Sequence, residues 1–132
     1  MRVVLDTNVI VSAFLSPAGN CAVILQQALR EDTDVELCFN TAILAEYEEV
    51  LCRSKFAGRI HQGALARFFD ILHKIGRNVN VMPSQIPLPD ETDRKFYDVA
   101  RAEDAYLVTG NAKHYPIELF IVEPAELVSQ LS

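Results

Sequence analysis

The residues of this chain best suited to chemistry are carboxylates placed where apolar segments end. Val3-Val4-Leu5 stops abruptly at Asp6, with Thr7 and Asn8 directly behind it. An apolar β-branched run reads as a buried strand of a parallel sheet, and open α/β sheets bind their ligands at the carboxyl ends of the strands. A second acid, Asp93, has helical spacing with Phe96 and Ala100 at i+3 and i+7. A charge directed into a packed face is costly unless something compensates it. Capping is the competing role: Asp90 as N-cap puts Asp93 at the third helical position, where acids suit the helix dipole. The two roles can coexist. Asp98 points away from that face and reads as ordinary surface. Glu46 and Glu48 both flank an apolar face made by Ile43, Leu44, Tyr47, Val50 and Leu51, whereas Glu49 points away from it. Periodicity does not choose between the first two. Ala105-Tyr106-Leu107-Val108-Thr109-Gly110-Asn111 repeats the opening design, with Gly110 allowing a tight exit and Asn111 offering a neutral oxygen. Lys113 and His114 follow at once. Acids gathered in this way are oxygen ligands for a hard divalent cation.

These residues need elements to position them, and the pattern supplies strands alternating with helices. Strands are expected at 2–6, 35–39, 78–81, 106–109 and 119–122. Helices are expected near 8–15, 20–30, from Thr41 to about Arg53, 62–76, from about Asp90 to Glu103, and after Glu123-Pro124. Ser16-Pro17-Ala18-Gly19 separates the first two helices, Thr41 is the expected cap of the third, and Gly76 the expected stop of the fourth. Pro83, Pro87 and Pro89 mark a loop. Tyr47, Phe96 and Tyr97 fall at core positions, so no row of exposed aromatics offers base stacking. His61 and His73 read as ordinary loop and helix residues. Alternating strands and helices in a short chain predict an α/β fold, a central mostly parallel sheet flanked by helices on both faces.

Composition bounds the function. The chain has 132 residues, half of them hydrophobic, which suits one compact domain spanning 1–132. No apolar run approaches the ~18–20 residues that cross a bilayer, and no signal-peptide pattern is seen at the start. Cys21, Cys38 and Cys52 have neither disulfide-framework nor metal-ligand spacing, and suit a reducing, cytoplasmic setting. A net charge of −6 argues against non-specific duplex binding. It leaves room for a metal-dependent nuclease, because acids clustered on a divalent cation make the site locally neutral or positive.

The motifs, taken in order, resemble the PIN domain: DTN at the first strand, Glu46 within Ala-Glu-Tyr-Glu-Glu-Val-Leu, Asp93 seven residues before Ala100, then LVTGN. Ser16-Pro17-Ala18-Gly19-Asn20 and Thr109-Gly110-Asn111-Ala112-Lys113-His114-Tyr115-Pro116 extend the likeness through nearly the whole chain. More narrowly it resembles the VapC-like proteins described as toxin components of toxin–antitoxin systems. The resemblance implies a Rossmann-like fold and a ribonuclease using Mg²⁺ or Mn²⁺, which yields 5′-phosphate and 3′-hydroxyl ends. It assigns the catalytic and metal-binding acids to Asp6, Glu46 and Asp93, and prefers Glu46 over Glu48. Many relatives have Asp where this chain has Asn111, which ligates through a carbonyl oxygen without charge. Thr7, Asn8, Asp90, Asp104 and Thr109 are expected to support these ligands. Arg53, Lys55, Arg59, Arg94, Lys95, Lys113 and His114 are candidate contacts to RNA phosphates, positioning rather than reading the strand.

The resemblance also implies a cognate antitoxin and a homodimer, with Leu65, Phe68, Phe69 and Leu72 as contributors beside their favoured place in the core. Two rival functions exist. One is a non-catalytic PIN-like module that binds RNA or protein, which Asn111 favours. The other is a Mg²⁺-dependent phosphatase of the haloacid-dehalogenase type, whose nucleophilic Asp also ends the first strand. That class wants a second Asp two residues on, where this chain has Asn8.

Overall fold

A computed structural model describes residues 1–131. Five parallel strands form one sheet in the order β3-β2-β1-β4-β5. They are β1 (Arg2–Leu5), β2 (Glu36–Phe39), β3 (Arg77–Asn78), β4 (Tyr106–Val108) and β5 (Ile121–Val122). Helices α1 (Thr7–Leu15) and α2 (Asn20–Ala28) connect β1 to β2. Helices α3 (Thr41–Leu51) and α4 (Gln62–Ile75) connect β2 to β3. A 3₁₀ turn at Glu91–Asp93 runs into α5 (Arg94–Ala102), and α6 (Pro124–Val128) closes the described fold. α5 packs against β1, β2 and β4, and α1 packs against α2 and α3; the right-handed rule for parallel crossovers assigns these two groups to opposite faces of the sheet.

β1 is central, with β2 on one side and β4 on the other. Covered on both faces, it needs apolar residues at consecutive positions rather than alternating ones. Val3, Val4 and Leu5 are all completely buried. Strand order reverses at β1, so the crevice beyond its carboxyl end is the topological switch point of the sheet, the preferred ligand position in open α/β folds. Asp6 is the first residue past that end. Its amide donates to Val108 O (3.0 Å), continuing the β1–β4 ladder by one residue and fixing where the carboxylate stands.

The fold departs from the sequence expectations at several points. Asn40, rather than Thr41, caps α3, its side chain accepting from the Ile43 amide at 2.8 Å. β3 lies at 77–78 rather than 78–81, and β5 starts at Ile121, leaving Leu119 fully exposed. Gly76 ends α4 without left-handed geometry (φ −68°). Glycine is needed there for close approach: a Cβ would stand 2.5 Å from Leu72 O and 2.7 Å from Phe39 Cε1. Gly110, by contrast, has open space around it and no positive φ.

Asp98 is the clearest correction. Rather than facing solvent it is 6% exposed, and accepts from both the amide (2.9 Å) and the hydroxyl (2.6 Å) of Ser84. The loop between β3 and α5 folds over the outer side of α5, so the polar face that periodicity assigned to solvent is covered. Arg94 completes the clasp. Its guanidinium donates to Ser84 O and Oγ, to Ile86 O and to Glu91, and its side chain is only 17% exposed. Arg94 is thus committed to holding this loop, not to a phosphate. Leu65, Phe68 and Leu72 are buried in the core of the chain, with Phe69 packed against it. No single helix among the described residues is long and apolar enough to cross a membrane.

Candidate functional site

Three acids from separate parts of the chain lie around the switch point, linked by a ring of polar contacts. Asp6 is 8% exposed and its Oδ2 accepts from two hydroxyls, Thr109 Oγ1 at 2.9 Å and Tyr115 Oη at 3.0 Å. Thr109 itself is wholly buried and accepts from the Asn111 amide at 3.0 Å. Thr7, next to Asp6, donates its hydroxyl to Glu46 Oε2. Glu46 Oε1 lies 2.8 Å from the Lys95 ammonium. Lys95 stands two residues after Asp93, whose Oδ2 is 3.8 Å from His114 Nδ1. His114 precedes Tyr115, which returns to Asp6.

Local structure explains each position. Asp6 and Thr109 follow the paired strands β1 and β4. Glu46 sits midway along α3, whose register is locked by Tyr47, completely buried and donating its hydroxyl to Leu5 O at 2.5 Å. That bond brings α3 against the carboxyl end of β1. Glu48 is exposed, and Glu49 is exposed and paired with Arg53. The structure thereby separates Glu46 from its neighbours, which helical periodicity does not. Asp93 ends the 3₁₀ turn that leads into α5, with Phe96 and Ala100 fully buried beneath it. Asp90 caps that turn, accepting from the Thr92 amide and hydroxyl at 2.9 and 2.8 Å.

The acids share one electrostatic field. Burial raises the Asp6 carboxyl above its ordinary range; hydrogen bonds from Thr109, Tyr115 and the Thr7 backbone oppose this, and the Glu46 charge adds to it. Asp93 is pushed up to about 6, first by burial and then by the charges of Asp6 and Asp90, against the pull of His114 and Lys95. The Tyr115 hydroxyl is driven upward by burial and by Asp6, Asp93 and Glu46. Tyr115 therefore stays protonated and serves as a donor.

Other expected site residues lie further out or elsewhere. Asn8 is half-buried in the first turn of α1, outside the ring of contacts. Asn111 is exposed and contributes through its backbone amide. Asp104 is excluded by position. It is exposed, precedes the amino end of β4, and carries a positive φ of 52°. There it ends α5 as the left-handed residue of a Schellman-type turn, with the Ala105 amide donating to Ala100 O at 2.9 Å. Arg53 is paired with Glu49, and Lys55 lies 5.0 Å above the Phe56 ring. Arg59 and Lys113 are exposed. Tyr115 is the functional residue that sequence reasoning missed. Its signal was weak: an aromatic with a polar tip, six residues after Thr109, in a segment with no periodicity.

Among the described residues, no three acidic, histidine or cysteine side chains close on a common point as they stand. Both Glu46 oxygens are already engaged, one by Thr7 and one by Lys95. The donor chemistry nevertheless suits a hard divalent ion. Asp6, Glu46 and Asp93 supply oxygen only, the Glu46 charge raises the proton affinity of Asp6 and the Asp6 charge that of Asp93, and Glu46 already holds a cation.

Asp6, Glu46 and Asp93 thus reach the carboxyl-end side of one parallel α/β sheet from three distant segments of the chain. The chain belongs to the PIN-domain family, whose model, described as PIN domain, matches residues 2–113. Among solved structures, a chain of VapBC2 from Rickettsia felis, crystallised bound to a DNA fragment from their promoter, shares the fold. The TM-score is 0.55 at 18% identity, covering 93% of this chain and 97% of that one. No curated protein sequence matches the chain significantly.

Proposed function

We propose that this chain is a divalent-metal-dependent endoribonuclease that hydrolyses RNA phosphodiester bonds, acting as the toxin of a toxin–antitoxin pair. PIN domains are generally nucleases, and the shared fold with a VapBC2 chain supports a cognate antitoxin. One observation carries the reading: Asp6, Glu46 and Asp93, from β1, α3 and the start of α5, are drawn together where a parallel sheet presents ligands. Such mutual repulsion is tolerated where function requires it. Asp6, Glu46 and Asp93 would hold Mg²⁺ or Mn²⁺. When bound, such an ion activates water and neutralises the charge that develops on the phosphorus.

The chain's own groups do the remaining work. Thr109 and Tyr115 fix the Asp6 carboxylate through one oxygen, Oδ2. Thr7 orients Glu46. His114, half-exposed beside Asp93, and its exposed sequence neighbour Lys113 are the groups that would position a phosphate. Ser/His/Asp or Cys/His chemistry has no support: the cysteines lie outside the ring, and His114 faces a carboxylate rather than a hydroxyl or thiol.

A mixed RNA pool incubated with Mg²⁺, Mn²⁺ or EDTA, using wild type and Asp6→Asn, tests this. Cleavage that requires metal and is lost in the variant supports the nuclease. Equal cleavage by both proteins refutes the site. The exposed Asn111, a neutral residue at a strand end, favours the non-catalytic RNA- or protein-binding module as second reading. RNA binding by a wild type that never cleaves would put that reading first.

A further inference from the structure

Lys95 is the least ordinary cation in the molecule. Several ion pairs here join residues close in sequence on exposed surfaces, such as Lys74–Asp70 and Arg53–Glu49. Lys95 instead bridges α5 to α3, with its side chain 20% exposed. Its ammonium is held by Glu46 Oε1 at 2.8 Å, donates to Thr92 O, and lies 5.0 Å from the centroid of the Phe96 ring. Carboxylate, carbonyl and ring face are three attractive partners for a cation. The charge therefore rests inside the acidic cluster rather than in solvent.

We propose that Lys95 is the resident counter-cation of the acid cluster and is displaced from Glu46 when a divalent cation binds. The inference rests on the metal-dependent reading above and goes beyond it. Glu46 has no free oxygen as it stands, since Thr7 takes Oε2 and Lys95 takes Oε1. A divalent cation that approaches Oε1 therefore meets the Lys95 ammonium as a competitor of like charge at the same oxygen. The neighbouring cation is unsuited to this exchange, because Arg94 is fastened to Ser84, Ile86 and Glu91. Lysine has a flexible four-carbon stem and a strongly hydrated head, and can move its charge to solvent without backbone change. Without its ammonium, the cluster would hold Asp6, Glu46 and Asp93 with their repulsion unrelieved by any side chain on α5.

The alternative, that Lys95 merely orients Glu46 for its ligand, predicts the opposite sign. Removing an orienting group weakens metal binding. Removing a competing cation tightens it, both because the competitor is gone and because two like charges no longer meet at one carboxylate.

Mn²⁺ binding to RNA-free protein, measured by electron paramagnetic resonance, decides between them. Lys95→Met keeps the stem over Phe96 and removes the charge. It is expected to bind Mn²⁺ about fivefold more tightly than wild type, the equivalent of one partly exposed ion pair, and to melt lower than wild type in EDTA. Unchanged or weaker Mn²⁺ affinity in the variant, with wild type binding normally, overturns the counter-cation role while the metal-dependent reading stands. Wild type that fails to bind Mn²⁺ at all overturns both. A second measurement uses wild type alone: the acylation rate of Lys95 by an amine-reactive reagent, read by mass spectrometry against Lys74. Saturating Mn²⁺ should raise the Lys95 rate several-fold and leave Lys74 unchanged, and an unaltered Lys95 rate refutes the displacement.

Discussion

Tyr115→Phe isolates the bond that the sequence did not reveal. The substitution keeps the ring, which is 4% exposed, and deletes only the hydroxyl that donates to Asp6 Oδ2 at 3.0 Å. Asp6 retains the Thr109 hydroxyl at 2.9 Å, so the carboxylate loses one of two side-chain donors rather than all. A hydrogen bond to a charged group is worth about 1.5–3 kcal/mol, against about 0.5–1.5 kcal/mol for a neutral pair. Where Asp6 is ionised, Tyr115→Phe is therefore expected to cost about 2 kcal/mol in metal-free protein. In an Asp6→Asn background the same change should cost about 1 kcal/mol, leaving a coupling of about 1 kcal/mol between the two sites. Asp6→Asn alone should be no less stable than wild type, because burial already disfavours the ionised carboxylate in the folded chain. Urea denaturation of the four proteins in EDTA completes the cycle. Additive costs, or a large destabilisation by Asp6→Asn alone, would refute the claim that Tyr115 acts by stabilising a buried carboxylate.

Two further outcomes follow from charges outside and inside the ring. Asp98→Ala strands the Ser84 amide and hydroxyl and empties the clasp over α5. It should destabilise by about 2–4 kcal/mol and hasten proteolysis within the loop between β3 and α5, measured by limited digestion and mass spectrometry; unaltered cleavage there would count against the clasp. Asp93 has a folded pKa of about 6 against an ordinary value of 3.8, so between those pH values the folded chain holds its proton more tightly than the unfolded one. Stability of the metal-free protein is therefore expected to fall as pH rises from about 4 to about 6. The loss should be about 1–2 kcal/mol after solvent screening, and Asp93→Asn should flatten this window in denaturation midpoints.

Much of the fold could be read from the chain alone because it rests on local pattern. A β-branched run with no polar alternation is compatible only with burial on both faces, so β1 and its parallel environment follow from Val3, Val4 and Leu5 themselves. The abrupt change to Asp6 marks the end of that strand, and helical spacing marks Asp93. What periodicity did not determine was how elements meet. Glu46 and Glu48 flank the apolar face of α3 alike. Glu46 is singled out because the Tyr47 hydroxyl reaches Leu5 O and brings one side of α3 to the carboxyl end of β1. Asp98 looked like surface because a helical wheel knows nothing of the loop that covers it, and only the fold places Ser84 there. Asp104 looked near the site because it is near Thr109 in sequence, yet the strand between them puts it at the opposite, amino end of β4. The same separation works in reverse for Tyr115 and Lys95. Each gains its role from a carboxylate far away along the chain, and hydrogen bonds between distant residues exist only once the sheet has brought its strand ends together.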